Sequence, residues 1–505
     1  MTEPLLSKEI INCGSIERES IPSLSIDGLS RHLRESVQNG QRVSALFGTP
    51  SLEGEGVEII ALLADDAQGR LWISRTHLQD KRFPSLTPGC PQLHLFEREL
   101  AEDFGLEPEG HPWLKPVRYP QNPLGGGLNQ KPTSIGIQDF YRVEGEEIHE
   151  VAVGPVHAGV IEPGHFRFQC FGEEVFHLEI SLGYQHRGIE QALMGGPNQK
   201  TLHYLETAAG DTTIGHGTAY CHLLEALTDT EPPLRGQVLR SIALELERLA
   251  NHIGDMGALS GDVGFLPTAS YCGRIRGDFL NMTALLCGNR FGRGVNMPGG
   301  VRFDLEDDSL KQLIKMVEIG KQDAKVAIEL LWESASVMAR FEGTGTLAEK
   351  TARQLGLVGP AARASGLSRD IRSDHPSGFY RFTHIPLSSW KTGDVFARAY
   401  VRWQEIQQSL HFILEQLHNL PKGPVDSKVS QLKPNQLAVS LVEGWRGEIC
   451  HLTLTDEKGH FSRYKVVDPS FHNWPGLAYA LRNQQISDFP VCNKSFNLSY
   501  CGFDL

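Results

Sequence analysis

A chain of 505 residues is too long for one compact core, so two or three domains are expected. Hydrophobic residues at 40% and charged residues at 22% are ordinary globular proportions and exclude a disordered chain. The formal net charge of −13 excludes nucleic acid as a partner, since its phosphates require a basic footprint.

The N-terminus carries acidic residues and lacks the apolar core of a signal peptide. The longest apolar runs, such as residues 59–64, fall far short of the roughly 20 residues a membrane span needs. The expectation is a soluble, cytoplasmic protein with no direct membrane span, able to dock on a membrane partner. Its 9 cysteines are scattered, odd in number and never in C-x-x-C spacing, which reads as reduced, buried thiols rather than ligands of an iron–sulfur cluster.

In chain order, the runs from Val57 to Ala64 and from Leu71 to Leu78 flank the turn-forming Asp65-Asp-Ala-Gln-Gly69, which predicts a β-hairpin. Residues 91–105 have helical periodicity and a glycine stop. Residues 1–115 therefore read as a small α/β domain. The Pro/Gly-rich segment 116–148, which includes Gly125-Gly-Gly127, reads as a linker. A strand-rich stretch, 149–182, opens a second domain that runs to residue 505.

From about Lys200 the pattern is helical. Ile242, Leu246, Leu249, Ile253 and Met256 form one apolar stripe. Leu313, Val317, Ala324, Ile328 and Leu331 form a second. A third helix, capped by Asp394, carries Val395, Ala399, Trp403, Ile406, Leu410 and Ile413. Such helices build a bundle, whose interior is a usual home for metals and cofactors. The last stretch of about 70 residues reads as mixed. The fold class expected is α+β: a small N-terminal α/β domain, then a large, mainly helical domain with a small β-rich opening segment. Neither G-x-x-x-x-G-K-[ST] nor G-x-G-x-x-G occurs between a strand and a helix, so a nucleotide such as NADH is not expected to bind on this chain.

Two sets of three motifs carry a resemblance. Glu97-Arg-Glu99, Glu102-Asp-Phe-Gly105 and Gly110-His-Pro112 resemble the signature of the 30 kDa subunit of complex I, with a glutamate for the usual first aspartate. Gly154-Pro-Val-His157, Gly164-His-Phe-Arg167 and His186-Arg-Gly-Ile-Glu190 resemble motifs shared by the complex I 49 kDa subunit and the large subunits of group 4 membrane-bound NiFe hydrogenases. The resemblance covers roughly residues 90–505 and implies the two subunits fused in one chain.

The hydrogenase pattern breaks where nickel is ligated. Ala209 and Thr212 stand at the first pair of thiolate positions, and Ser470 and Asn473 at the second. A NiFe centre needs four soft thiolates, which methyl, hydroxyl and amide groups cannot replace. Pro469-Ser-Phe-His-Asn473 instead resembles the complex I sequence. There the resemblance implies that the vacated site is the inner end of a quinone cavity, with a histidine paired to an aspartate and a tyrosine beside the head group. Carried onto this chain, the histidine is His165, the aspartate Asp262, and the tyrosine position holds Gly210. A carboxylate partner would fix the imidazole tautomer and raise its pKa from about 6.5.

The same resemblance gives Glu190 as the start of a proton path, His216 as a cavity-lining residue, and His186 and Arg187 as neighbours of a partner's iron–sulfur cluster. It implies a peripheral-arm subunit of a membrane-associated redox complex of the NADH:quinone oxidoreductase class, taking electrons from a small iron–sulfur subunit to a quinone. It binds no cofactor other than that quinone, and no nickel or iron. A ferredoxin-like subunit and membrane-arm subunits would be further partners, on the inner face of the cell membrane. The alternative is a NiFe-less coupling scaffold of a formate-hydrogenlyase-like complex, with another substrate or none.

Overall fold

The computed structural model describes residues 6–51, 54–120, 124, 134–157 and 161–505. The longer elements of its first part are β1 (Lys8–Ile10), β2 (Ser15–Glu17), α1 (Ile26–Gln38), β3 (Arg42–Pro50), β4 (Val57–Asp65), β5 (Arg70–Leu78) and α2 (His94–Phe104). The predicted hairpin is β4–β5, and the sheet runs β1–β5–β4–β3 with antiparallel neighbours along this path, while the short strand Ser23–Leu24 pairs with β5 in parallel. α1 and α2 pack on it. That explains why β3 and β4 are buried almost end to end and read as continuous apolar runs rather than as an alternation. α2 stops at Gly105, whose φ of 65° is the left-handed conformation that closes a helix and that glycine adopts without a Cβ clash.

Of the expected linker, residues 121–123 and 125–133 lie outside the described residues, Gly125-Gly-Gly127 among them. The strand-rich segment that follows is a three-stranded antiparallel sheet of β6 (Ile148–Val153), β7 (His165–Phe171) and β8 (Glu174–Ser181), with β7 in the middle.

The helical region contains α3 (Thr213–Thr228), α4 (Leu234–Asp262), α5 (Leu266–Cys287), α6 (Asp307–Trp332) and α7 (Val395–His418). α4 packs against α5 and α7, and α6 against α5 and α7. All five stripe residues of α4 and all five of α6 are fully buried, and Asp394 Oδ1 caps α7 by accepting Ala397 N–H at 2.8 Å. The last part holds β9 (Gln436–Gly444), β10 (Gly447–Thr455), β11 (Phe461–Val467) and α8 (Pro469–Ala480).

The final sheet runs β11–β10–β9–β2, so a strand from the first twenty residues closes a sheet built from the last seventy. The core is continuous across the same join: Leu46, Ile60 and Phe96 share one apolar cluster with Leu441, Leu452 and Trp474, and the Phe96 and Phe471 rings lie 5.0 Å apart. Among the described residues no helix is long and apolar enough to cross a membrane.

Candidate functional site

Ala209, Thr212, Ser470 and Asn473 are all buried, at 1% exposure or less. Ser470 sits in the first turn of α8 and Asn473 at the start of the second, and Asp468 caps the helix through Ser470 N–H at 2.8 Å. Their polar atoms are already engaged. Ser470 Oγ accepts Ser499 N–H at 2.9 Å, and the Asn473 amide both accepts Val358 N–H at 3.0 Å and donates to Val358 O at 3.1 Å. Thr212 Oγ1 donates to Asp211 Oδ1 at 3.3 Å and accepts from Arg446 Nη1 at 3.4 Å. Arg446 also grips Asp211, with Nη2 at 2.8 Å from Oδ2. A methyl group and hard donors committed to protein partners do not fit a nickel–iron centre.

Behind these positions runs a chain of four buried groups. His216 Nε2 lies 3.2 Å from Asp468 Oδ2, His216 Nδ1 3.0 Å from His451 Nε2, and His451 Nδ1 2.9 Å from Tyr464 Oη. One proton pattern satisfies all three bonds: Tyr464 O–H donates to His451 Nδ1, His451 Nε2–H to His216 Nδ1, and His216 Nε2–H to the carboxylate. Burial raises the Asp468 pKa, but hydrogen bonding and attraction from His216, with the charge of Arg446, outweigh it and hold the carboxyl below its usual range. Burial, then the neighbouring His216, pushes His451 far below the ordinary imidazole range. His216 is thus a fully buried member of this chain, joined to groups far away in sequence. Next to it Glu247 caps α3, accepting Ile214 N–H at 2.6 Å and Gly215 N–H at 3.1 Å, while burial pushes its carboxyl up to about 8.

The structure does not join His165 to Asp262, contrary to the pairing expected from the resemblance. His165 Nδ1–H donates to Gly154 O at 3.1 Å, its ring lies 5.1 Å from that of Phe140, and its buried Nε2 has no partner among the described residues. Asp262 is the exposed last residue of α4, and the charge that acts on it is Lys494. The physical reason is local: a carbonyl only eleven residues back occupies the nitrogen that an aspartate would take. Gly210 is exposed, and a Cβ built on it would meet nothing within 4 Å.

Glu190 is not a surface carboxylate. Its oxygens lie 2.8 Å from Arg463 Nη1, 3.1 Å from Lys465 Nζ and 3.0 Å from Val466 N. Burial would raise its pKa, but Lys465, Arg463 and Arg118 win and hold it well below the carboxylate range. Lys465 and Arg118 both also pair with Glu99 of α2. His186 and Arg187 are tied to the end of the chain. His186 Nδ1–H donates to Asp504 O at 2.7 Å, and Arg187 Nη2 to Ala208 O at 2.8 Å and Cys501 O at 2.9 Å. Burial lowers the His186 pKa and keeps the ring neutral.

Sequence reasoning missed a buried ionic cluster on α4. Glu245, Arg248 and His252 are fully buried. His252 Nε2–H donates to Glu405 at 2.8 Å, and Arg363 Nη2 reaches the same carboxylate at 2.6 Å. The signal was available: charged residues at i, i+3 and i+7 make a polar stripe on a helix otherwise apolar. A cavity of about 730 Å³, lined by Cys13, His222, Glu225 and Arg240 among others, includes none of the predicted site residues.

The site is thus a thiolate-free polar cluster at Ala209, Thr212, Ser470 and Asn473, in a helical body onto which a mainly antiparallel N-terminal module is sealed. Residues 20–128 match the respiratory-chain NADH dehydrogenase 30 Kd subunit family, and residues 262–504 match the 49 Kd subunit family. Hydrogenase-4 component G of Escherichia coli (strain K12) is 30% identical over 475 residues, 90% of this chain and 82% of that protein. Formate hydrogenlyase subunit 5 of the same organism is 29% identical over 482 residues, covering 92% and 84%. Among solved structures, the membrane-bound sulfane sulfur reductase, an archaeal respiratory membrane complex, has a chain with a TM-score of 0.67 and 25% identity, covering 72% of this chain and 100% of that one. The chain belongs to the family of fused 30 kDa and 49 kDa-type large subunits shared by complex I and the group 4 hydrogenase-related complexes. It is an oxidoreductase subunit of a respiratory complex.

Proposed function

We propose that this subunit passes electrons arriving from an iron–sulfur cluster on a small partner subunit to a quinone-type acceptor, and carries out no hydrogen chemistry. The observation behind this reading is the site itself. All four thiolate positions are lost to Ala209, Thr212, Ser470 and Asn473, while the hydrogen-bonded Asp468 and His216 are buried as well. His165 is the residue assigned to the acceptor. Its Nδ1–H is fixed on Gly154 O, so the free Nε2 accepts a hydrogen bond when the ring is neutral and donates one when the ring is protonated.

Exposed apolar residues around His165 support a docked partner: Ile137 is 72% exposed, Val156 90% and Ile161 55%. The nearby His186-Arg187 turn would face that partner's cluster. A ferredoxin-like subunit and membrane-arm subunits complete the assembly, on the cytoplasmic face of the membrane.

The missing His165–Asp262 contact favours a second reading, a coupling scaffold with another acceptor or none. One set of measurements on the intact purified complex separates the two. The first reading expects no stoichiometric nickel, no hydrogen uptake with viologen dyes, and reduction of a short-chain quinone analogue. It also expects His165→Ala to lower that reduction about 100-fold or more, the usual scale of a lost proton-transfer group. Absent quinone turnover leaves the scaffold, and turnover unchanged in His165→Ala removes His165 from the acceptor site. Close to one nickel per chain sinks both.

A further inference from the structure

From residue 279 to residue 303 the chain carries no aspartate, glutamate or lysine, although its net charge is −13. This stretch leaves α5 and turns through Gly288-Asn-Arg-Phe-Gly-Arg-Gly294. It then forms the short antiparallel pair Asn296–Met297 and Gly300–Val301 and reaches Arg302 and Phe303. Arg290, Arg293 and Arg302 are exposed, as are Phe291 at 45% and Phe303 at 40%. None of the three guanidinium groups has a carboxylate partner among the described residues. The neighbouring acids are committed elsewhere. Asp304 holds Arg235 Nε at 2.7 Å, and the buried Glu206 accepts Gly294 N–H at 2.6 Å.

The backbone that presents these side chains is fixed. Asn289 Oδ1 accepts Phe291 N–H at 2.9 Å and Arg293 N–H at 3.3 Å, and Arg302 N–H donates to Val295 O at 2.9 Å. Gly292 has a φ of 74° and lies so close to α3 that a Cβ on it would come within 2.5 Å of the Ile214 side chain. A surface ordered in advance loses little entropy when a partner arrives. The Glu206 contact also sets the loop beside the turn whose Thr207 and Ala208 carbonyls hold Arg187. A lone surface charge is usually just solvated, but the composition here is that of a contact surface. Interfaces are enriched in arginine and aromatic residues and depleted in lysine, aspartate and glutamate. A carboxylate-bearing face is repelled by the bulk of a chain of net charge −13 and attracted where its cations are left unneutralised.

We propose that the 288–303 surface docks a partner protein through a cluster of that partner's carboxylates, which meet Arg290, Arg293 and Arg302 around the rings of Phe291 and Phe303. The assignment does not rest on which acceptor the subunit serves.

The test uses the intact purified complex. Arg290→Lys, Arg293→Lys and Arg302→Lys together keep the charge and supply amines, which a water-soluble carbodiimide joins to touching carboxylates as amides with loss of water. Mass spectrometry of the digested product should find amides from these positions to aspartate or glutamate of another subunit. Arg293→Gln with Arg302→Gln should weaken retention of that subunit about tenfold or more in a salt series, the scale of one lost charged hydrogen bond. Lysine does not reproduce arginine's bidentate geometry. If the lysine variant does not assemble, the glutamine pair decides alone, with circular dichroism checking that it folds. Amides confined to this chain, or none at all, would overturn the proposal, as would retention of every subunit unchanged by the glutamine pair. So would affinity only for anionic phospholipid vesicles, which would assign the surface to a membrane instead.

Discussion

Replacing Glu190 by glutamine tests what the buried ion cluster does. Glutamine keeps the shape and one oxygen for Val466 N–H but removes the charge facing Arg463 and Lys465, which are each 1% exposed. Breaking a buried pair from one side costs about 3–5 kcal/mol, because a charge is left without its counter-ion. Lys465 keeps Glu99, so the lower end, about 3 kcal/mol, is the better expectation. At about 2–4 °C per kcal/mol for domains of this size, the melting temperature should fall by roughly 6–12 °C in a thermal-shift assay.

The pH dependence has a definite sign. A carboxyl held below its unfolded pKa contributes stability above that value and loses it as pH falls through the folded one, so the gap between wild type and variant is full at neutral pH and closes only on strong acidification. Glu99→Gln should lower the melting temperature too, and the double variant should fall short of the sum because the two share Lys465. A Glu190→Gln loss below about 1 °C would refute the reasoning, since that is what an exposed ion pair gives. A glutamate held in its ionised form at neutral pH is in this way a stabiliser of the join.

Asp262→Asn should change quinone-analogue turnover by less than about twofold and leave its pH profile in place, because no hydrogen bond or ion pair links it to His165. A profile displaced to lower pH would restore the pairing. Gly210→Tyr should fold with a melting temperature within about 2 °C of wild type, since the new side chain enters open space. A large loss would mean that the position is packed. Glu247, raised to about 8, contributes stability that is full below the ordinary carboxylate range and is lost as pH rises towards 8. The advantage of wild type over Glu247→Gln in chemical denaturation should therefore narrow from about pH 5 to pH 8, and a constant advantage would count against that titration.

What the sequence revealed was what repeats or spells out a motif. The β4–β5 hairpin, the glycine stop of α2 and the buried stripes of α4, α6 and α7 each follow from spacing within a few turns of chain. The lost thiolates were legible because substitution inside a motif needs no geometry. β2 was not: Ser-Ile-Glu is too short to show a period, and its partner lies over four hundred residues away. Nor was the Asp468–His216–His451–Tyr464 chain, whose two histidines are 235 positions apart. The His165–Asp262 pairing failed for the opposite reason. It carried over a distant contact and overlooked the nearby Gly154 carbonyl.

The sealed join between the two halves changes what the polypeptide link is for. An edge strand in a foreign sheet, a buried lysine shared by Glu99 and Glu190, and the packed Phe96 and Phe471 rings would together make a specific heterodimer contact if the chain were severed within 116–148. The tether then acts chiefly as a local concentration, of millimolar order for a short connection. Two separately made pieces should recombine without it. Fusion would spare the cell the search and enforce equal numbers of the two halves, and add little to the strength of their contact.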